Sequence, residues 1–326
     1  MYKKYLIPIM LIAYLASCGN EKMKTINKLR EEPVYRLESY DKNLDVTLKD
    51  RVFDAPPFVI DYLKKLDKTD KYKPYTISQS DKYEIEKCIA GLPKKIKDVL
   101  NIKLLGIFFV DEFMGGGLTE YVFDIKGNLY SIIILNPKIL KTSMSDWINY
   151  RDNSIFNETD GITVKSICKP NNLQLLQTIV HEISHVYDYH VHITPYTDAE
   201  LTIFKTSDIS PFIDNVWENY YKPVKEYDFP QRDHMSFYGF GDKKIDSLYA
   251  AELYKDLLNT PFSSLYGSIS WGEDFAESFT WFYLNKLFGI EYTVNVYRDK
   301  ILLISFSPLK IKKIEQRIRI LEELID

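Results

Sequence analysis

The sequence has no marked excess of charge, because 42 lysines and arginines stand against 46 aspartates and glutamates and give a net charge of -4. Both signs are spread along the chain, so it lacks the basic stripe that nucleic-acid binding requires. It also lacks a repeat of fixed period. After residue 18, no stretch reaches the roughly eighteen apolar residues of a membrane-spanning helix. These absences exclude nucleic acid as a partner and predict a soluble protein beyond the N-terminal segment.

The N-terminal segment has the order of a secretory signal. Two lysines precede an apolar run, residues 6–16, which is too short to span a bilayer. The run ends in L-A-S-C, and small residues before a cysteine are similar to the lipobox of bacterial lipoproteins. We therefore predict a signal peptide over residues 1–17, a lipidated Cys18 and a flexible tether over residues 18–33. The lipid would be the sole membrane contact, at the bacterial cell envelope. The absence of Asp after the cysteine favours the outer membrane in a Gram-negative host.

The rest of the chain is rich enough in apolar residues for a packed core, since the sequence is 45% hydrophobic and 14% aromatic. A mixed pattern over residues 34–78 predicts a small lead-in segment, and residues 79–326 form the main domain. Two cysteines remain after Cys18. Cys88 and Cys168 would form one disulfide in an oxidising compartment or stay as two buried thiols, and the sequence does not choose between them.

Hydrophobic periodicity and turn residues predict the main elements of this domain. We expect a mixed, α+β fold. Two apolar segments flank the turn K-G-N and should form an antiparallel hairpin, and a helix that enters through Asn171 or Asn172 should follow it. The expected elements are a helix over 80–100 that is interrupted at 91–93, a strand over 102–113, hairpin strands over 121–125 and 129–135, and helices over 173–189, 271–288 and 307–326.

The motif H-E-I-S-H at residues 181–185 matches H-E-x-x-H and lies on the predicted helix 173–189. Its two histidines stand one helical turn apart on one face, so both can reach a single metal ion. Glu182 beside them could then take a proton from a water that the metal activates. The alternative is a coincidental match on an exposed helix, but the chain has only five histidines. We therefore predict one Zn²⁺ ion with His181 and His185 as ligands and Glu182 as the general base.

The third ligand is predicted on the helix over 271–288. Glu273 and Glu277 are four residues apart and share one face of that helix. Glu273 could complete the metal site while Glu277 accepts the other N–H of a ligand histidine. In the competing interpretation, Ser270 and Glu273 form a capping box, and Glu273 merely bonds back to the start of the helix.

Other polar residues near the motif are given subordinate roles. The metzincin continuation needs glycine at 188 and histidine at 191, where the sequence has Asp188 and Val191, so that family is excluded. Asp188 shares the histidine face and is predicted to support a ligand from behind. For the remaining histidines we expect a boundary position (His190), the end of the helix (His192) and the surface (His234).

The motif at 181–185, followed by Tyr266-Gly267 and E-D-F-A-E-S-F at 273–279, resembles the lethal factor and Pro-Pro endopeptidase family of zinc metallopeptidases. In that family a tyrosine stands seven residues before the glutamate ligand, as Tyr266 does here. The resemblance covers two helices and their approach, and implies a zincin-like fold of the gluzincin type. It implies that Tyr266 stabilises the oxyanion of the reaction. The chain departs from the family by a long insertion, about 191–265.

These patterns predict a zinc-dependent endopeptidase whose partner is a peptide or protein substrate. We expect an extended peptide to lie antiparallel to an edge strand of the sheet, with Tyr130–Leu135 as the expected edge. Two alternatives remain. A non-catalytic envelope lipoprotein could use the same fold for binding, or the metal could be structural, in which case a fourth protein ligand such as Asp188 or His192 would close the site.

Overall fold

The computed structural model describes residues 21–40, 43–195, 210–241 and 244–325 of the chain. Helices and several small sheets make up these ranges, which confirms the α+β class. Within them, no helix combines the length and the apolarity that a bilayer crossing needs. The predicted signal peptide and the predicted lipidation site Cys18 lie outside the described residues, and so does the stretch 196–209 of the insertion.

A five-stranded mixed sheet forms the first half of the fold. Its strands are β1 (Val52–Asp54), β2 (Lys73–Pro74), β3 (Leu104–Asp111), β4 (Gly117–Phe123) and β5 (Leu129–Leu135). The central strand β3 reads as an almost continuous apolar run and is buried along nearly its whole length, as expected of a strand with parallel neighbours. It pairs in parallel with β1 and β5 and antiparallel with β2. Both strands of the predicted lead-in segment therefore belong to this sheet.

The expected edge strand was wrong. β5 pairs with β3 on one side and with β4 on the other, so Tyr130–Leu135 has no free edge. The edge is β4, whose one further partner among the described residues is an isolated bridge between Phe123 and Arg36. The hairpin itself is confirmed, with Gly127 at a positive φ of 80° in its turn. A hairpin pattern shows that two strands pair, but it does not show which of them continues the sheet.

Eight helices of the described ranges have defined bounds: α1 (Pro57–Asp67), α2 (Gln79–Ala90), α3 (Lys94–Lys103), α4 (Met144–Asn153), α5 (Gln174–Val191), α6 (Ala250–Leu257), α7 (Trp271–Phe288) and α8 (Glu315–Ile325). The predicted break at 91–93 separates α2 from α3. α7 ends at Phe288 as predicted, and Gly289 follows it in the left-handed conformation. The predicted cap of α5 was wrong. Leu173 occupies that position without a side-chain bond, and Asn171 instead accepts a hydrogen bond from the amide of Ser145 at 2.9 Å.

A second sheet, which was not predicted from the sequence, packs against helices α4 and α7. It contains β7 (Ile162–Lys169), β9 (Glu291–Arg298) and β10 (Ile301–Phe306), all antiparallel, with β9 in the middle. A short parallel pair, β6 (Phe156–Asn157) and β8 (Ile245–Asp246), ties the insertion to the main chain. The C-terminal helix starts later than predicted, because two 3-10 turns, Pro308–Lys310 and Lys312–Ile314, precede α8.

The cysteine alternatives are settled by the fold. Cys88 on α2 is partly buried, Cys168 on β7 is buried, and both are free thiols. Burial raises the pKa of the Cys88 thiol to about 12 and also raises that of Cys168. Both groups therefore stay protonated near neutral pH and behave as packing residues rather than as nucleophiles.

The C-terminal helix fixes the position of α7. Arg317 on α8 donates to both carboxylate oxygens of Asp274 on α7, at 2.7 and 2.6 Å, and both side chains are almost completely buried. The indole of Trp217 donates to the same carboxylate at 2.8 Å. Asp274 is the neighbour of the predicted ligand Glu273, so this buried ion pair holds the start of α7 in place.

Replacing Arg317 with methionine should destabilise the protein by about 3–5 kcal/mol, because the charge of Asp274 would remain buried without its partner. Urea unfolding of the variant measures this free energy. Arg319→Met is the matched control, since Arg319 lies on the exposed side of the same helix, and its change should stay within about 0.5 kcal/mol. A loss of the same size in both variants would contradict the role of the ion pair.

Candidate metal centre

Helix α5 carries the H-E-x-x-H motif at its buried centre. His181, Glu182 and His185 are each less than a tenth exposed. The two imidazole rings are neighbours, with centroids 4.9 Å apart, as their spacing of one helical turn requires. Ile179, Val180, Ile183 and Val186 of the same helix enter the hydrophobic core. The helix therefore uses one side for packing and the other for the site, as the sequence pattern predicts.

The predicted third ligand converges on the histidines. Glu273 Oε2 lies 3.1 Å from Nε2 of His181 and 3.6 Å from Nε2 of His185. One ligand atom from each of the three residues can be chosen so that all lie within 4.8 Å of one another. Ser270 caps α7 by accepting a hydrogen bond from the amide of Glu273 at 3.3 Å. The capping-box alternative is thus confirmed only for Ser270, whose side chain caps the helix. The carboxylate of Glu273 lies against the two histidines.

The charges of the cluster stabilise one another. Burial alone lowers the pKa of His181, but Glu273 and Glu277 outweigh it and raise that pKa to about 10. Burial disfavours the ionised form of Glu273, yet the facing histidines hold its pKa well below the usual range. For Glu182 the effect of burial is larger than the effect of the nearby histidines, so the pKa of its carboxyl group is raised. A buried cluster with this much acidic character is suited to a cation.

Glu182 is positioned by the edge strand. Thr119 on β4 donates from Oγ1 to Glu182 Oε2 at 2.8 Å and lies 3.0 Å from the backbone carbonyl of Glu182. Gly117 on the same strand leaves room for the carboxylate, since a Cβ atom there would lie 2.5 Å from Glu182 Oε1. The sequence analysis named neither residue. They become visible only when β4 is placed against α5.

Glu277 lies behind His181, where it was predicted. Its Oε1 is 3.2 Å from Nδ1 of His181 and accepts from Nη1 of Arg151 at 2.9 Å. Its Oε2 accepts from Ser264 Oγ at 2.7 Å and from the indole of Trp281 at 3.1 Å. Burial opposes ionisation, but Arg151 and His181 lower the pKa of Glu277 to about 2. An ionised carboxylate that Arg151, Ser264 and Trp281 hold by hydrogen bonds can fix the orientation of the His181 ring. Arg151 was not predicted as part of the site.

Substituting Glu277 by glutamine should weaken metal binding by about 10- to 100-fold, because the ring of His181 would lose the carboxylate that orients it. Competitive titration against a chromogenic chelator measures the metal affinity. Glu291→Gln offers the same chemical change at an exposed position on β9 and should leave the affinity unchanged. Equal affinities for wild type and Glu277→Gln would show that the contact with His181 has no effect on the metal.

Tyr266 borders the site, and Asp188 forms its hydrogen bonds with Thr194. The ring of Tyr266 lies 6.0 Å from that of His181, and the guanidinium of Arg151 stacks over it at 5.1 Å. Asp188 uses both carboxylate oxygens to bind Thr194, each at 2.6 Å. Neither ligand histidine donates a hydrogen bond to Asp188 among the described residues. Burial raises the pKa of Asp188 to about 6, and the charge of His185 opposes this shift. The predicted support of a ligand by Asp188 therefore stays a prediction, while its hydrogen bonds order the turn after α5.

The other histidines lie where the sequence analysis expected. His190 is half-buried, with Nε2 3.3 Å from Ser131 Oγ, and His192 ends α5 in the left-handed conformation. His234 is 53% exposed in a 3-10 turn of the insertion. None of these three belongs to the cluster of ligand atoms found in the described ranges.

Two cavities adjoin the centre. The larger one has a volume of about 760 Å³ and reaches Glu273, and most of its lining comes from residues 220–235 of the insertion. The smaller one, of about 30 Å³, opens beside His181 and Glu182. The insertion therefore builds a cleft next to the candidate ligands.

The donor set of two imidazole nitrogens and one carboxylate oxygen fits a divalent transition-metal ion, with zinc among the ions that prefer it. Three protein ligands leave a coordination position for water or substrate. The group contains no fourth His, Cys, Asp or Glu within the part of the chain that is described. Comparison with protein-family models, curated proteins and solved structures finds no match for this chain.

Proposed function

We propose that the protein is a zinc-dependent endopeptidase with a zincin-like fold of the gluzincin type, in which His181, His185 and Glu273 hold one Zn²⁺ ion. The convergence of these three side chains from two separate helices carries the proposal. The resemblance of the motifs at 181–185 and 273–279 to the lethal factor and Pro-Pro endopeptidase family supports it further.

Glu182 is the proposed general base. Its carboxylate lies on the same helix as the two histidines and receives a hydrogen bond from Thr119 at 2.8 Å. When bound, the metal supplies Lewis acidity that activates water and polarises a carbonyl group. Glu182 takes a proton from the attacking water and passes it to the leaving amine. Burial raises the pKa of Glu182 towards the range in which a carboxylate exchanges protons efficiently.

Tyr266 is the proposed oxyanion donor. Its ring lies beside that of His181, and the phenol is kept protonated because burial and the nearby acidic groups raise its pKa well above the usual value. A protonated phenol can donate a hydrogen bond to the oxygen that gains charge during attack on the carbonyl.

The outer edge of β4 is the proposed docking strand for an extended peptide. β4 is the last strand in the sheet order β1–β3–β5–β4 of the described chain. Gly117 and Thr119 place this strand directly against Glu182. A peptide that pairs with it would receive backbone hydrogen bonds and run past the general base. The cleft of about 760 Å³ beside Glu273 offers room for flanking side chains.

The competing role, a lipoprotein that uses the site for structural zinc or for binding, is less well supported. A structural site needs a fourth protein ligand, and both candidates named from the sequence are placed elsewhere. Asp188 binds Thr194, and His192 ends α5 outside the ligand cluster. Incubation of the full-length protein with a peptide library, with and without a chelator, separates the two roles. Cleavage that the chelator abolishes supports the peptidase, and intact peptides in both samples would reject it.

Replacing Gly117 by valine should lower kcat/KM by at least about tenfold, because the new side chain would displace the carboxylate of Glu182 from the general-base position. The zinc content should not change, since the three atoms that lie nearest to a Cβ atom at position 117 all belong to Glu182, which is not a proposed ligand. Peptide hydrolysis and metal analysis of the purified variant measure both effects. Gly272→Ala is the control, because a Cβ atom there meets its nearest neighbour at an ordinary 3.7 Å. Full activity of Gly117→Val would contradict this position of the base.

We further propose that the protein is held at the bacterial cell envelope by a lipid on Cys18. The lipobox-like sequence supports this location. Metabolic labelling with a fatty-acid analogue tests it, since the label should be lost in Cys18→Ser and retained in Cys88→Ser. The prediction of a flexible tether was wrong for residues 21–29, which form a helix whose Ile26 is buried against Phe123.

A further inference from the structure

The small cavity beside His181 and Glu182 has an unusual lining. Its volume is about 30 Å³, and its walls are mostly polar. Arg151 of α4 and Gln174 at the start of α5 contribute to them, and these two side chains are 2% and 1% exposed. Each carries one polar atom that has no hydrogen-bond partner among the described residues: Nη2 of Arg151 and Oε1 of Gln174. Buried polar atoms without partners are rare in proteins and call for an explanation.

Arg151 offers the cavity a single donor group. Its Nε donates to Asp152 Oδ1 at 3.0 Å and its Nη1 donates to Glu277 Oε1 at 2.9 Å. Asp152 is held in turn by Ser166 and Tyr292, at 2.6 and 2.7 Å. The guanidinium is therefore fixed in position, and Nη2 is the nitrogen left for a ligand.

Gln174 offers the cavity a single acceptor, its Oε1 atom. The contact between Gln177 and Glu277 determines which end of each glutamine amide is the donor. Because the Glu277 carboxylate only accepts, the group of Gln177 that lies 3.4 Å from it must be the Nε2 donor. The Oε1 of Gln177 then accepts from Nε2 of Gln174, which also donates to Thr178 Oγ1 at 2.9 Å. The oxygen of Gln174 is the end of this chain of hydrogen bonds and is left without a donor.

We infer that this cavity is a specificity subsite for a carboxamide side chain, that of Asn or Gln, on the residue that flanks the cleaved bond. The carbonyl oxygen of the carboxamide accepts from Arg151 Nη2, and its NH₂ group donates to Gln174 Oε1. The inference rests on the proposed peptidase function, because the cavity adjoins Glu182 and His181. The cavity is also small enough to exclude aromatic groups and to hold one small polar group.

The hydrogen-bonding groups around the cavity disfavour a carboxylate in the same place. An ionised carboxylate only accepts hydrogen bonds, so it would leave Gln174 Oε1 without a donor. The charge of Arg151 is already matched by its ion pairs with Asp152 and Glu277. An apolar side chain of similar size would leave both polar atoms of the subsite unpaired, which is costly in a buried position. The carboxamide satisfies both atoms and adds no charge.

A set of matched peptides tests the inference on the full-length zinc-loaded protein. The peptides share one cleavable sequence and differ at a single position, which carries Gln, Asn, Glu or Leu, and the substitution is made in turn on each side of the cleaved bond. On one of the two sides, kcat/KM for Gln or Asn should exceed that for Glu and for Leu by at least about tenfold.

The variant Gln174→Met checks the origin of the preference. The substitution keeps the size of the side chain and removes both the acceptor and the Nε2 donor to Gln177 and Thr178, so the ratio of kcat/KM between the Gln and Leu peptides should fall towards one. Gln79→Met is the control, because Gln79 is exposed at the start of α2, and it should keep the wild-type ratio. Zinc content and thermal unfolding of both variants show whether they are folded.

The possible outcomes separate this inference from the proposed function. Hydrolysis that a chelator stops, with equal rates for all four peptides or with Glu preferred, overturns the subsite and leaves the peptidase standing. A carboxamide preference that Gln174→Met retains also overturns it. Absence of hydrolysis for every peptide rejects the peptidase and the subsite together.

Discussion

Glu182→Gln should lower kcat/KM for peptide hydrolysis by about 10²- to 10⁴-fold, the range that a general base contributes. The glutamine amide is nearly isosteric with the carboxylate and can still accept the hydrogen bond from Thr119 through its oxygen. It cannot take a proton from water. Because Glu182 is not among the three ligands, the variant should bind zinc as the wild type does. Stopped-time peptide assays and metal analysis of the same preparation measure the two properties.

The control for this experiment is Glu84→Gln, which makes the same chemical change on α2, where the side chain of Glu84 is 47% exposed and pairs with Lys87. It should retain full activity and full zinc content. If Glu182→Gln turns over peptides at the wild-type rate, the base is a different group. If it loses zinc as well as activity, Glu182 acts on the metal site itself, and the assignment of its role fails.

The helices that carry the site could be predicted because their signals are local. Helix α5 shows an apolar stripe at helical spacing, and α7 is bounded by Ser270 as cap and Gly289 as stop. These features depend only on residues within a few turns of one another. The hairpin of β4 and β5 is local for the same reason, since a short glycine-containing turn determines its pairing.

The second sheet was missed although one of its strands has a clear pattern. In β9, buried Tyr292, Val294 and Val296 alternate with less buried residues, which is the period of a half-buried strand. That alternation would have identified the strand. Its pairing with β7 joins segments more than a hundred residues apart, and no local pattern specifies such a partner.

The residues of the candidate site also divide into those with a local sequence signal and those that only long-range packing brings to the site. His181, Glu182 and His185 come from one short motif, and the spacing of Glu273 and Glu277 on one helix face led to Glu273, in agreement with the family resemblance. Thr119 and Arg151 reach the site from segments that are 63 and 126 residues distant from their partners Glu182 and Glu277. Threonine on a strand and arginine on a helix occur in many structural contexts, so the residue type alone does not predict a contact with Glu182 or Glu277. Only tertiary packing reveals that both act on the candidate centre.

The edge strand illustrates a second limit of sequence reasoning. Both strands of this hairpin carry apolar residues, and either strand could form the edge of the sheet. The apolar run of β5 is longer because both faces of this strand are buried. Ile133 and Leu135 enter one core cluster, and Ile132 and Ile134 enter another. The edge strand β4 lies next to Glu182, the proposed general base. A peptide that pairs with this edge would therefore pass close to that carboxylate.

Removal of the metal should abolish hydrolysis. The variants His185→Ala and Glu273→Ala should each bind zinc far more weakly, and their kcat/KM should fall by at least about 10³-fold, because the Lewis acid contributes several kcal/mol to the reaction. A chelator should do the same to the wild type, and added Zn²⁺ should restore it. Metal analysis, peptide assays and thermal unfolding with and without zinc measure these effects.

The matched control is His234→Ala, which removes an imidazole from an exposed turn and should change neither zinc content nor activity. Zinc at about 100 times its dissociation constant should stabilise the wild type by about 2.7 kcal/mol, because it binds the folded chain alone. Neither ligand variant should show this gain, since both imidazoles and the carboxylate are needed in one place. A full zinc-dependent gain in Glu273→Ala would mean that the ion binds elsewhere, and the convergence of α5 and α7 on one cation would then be wrong.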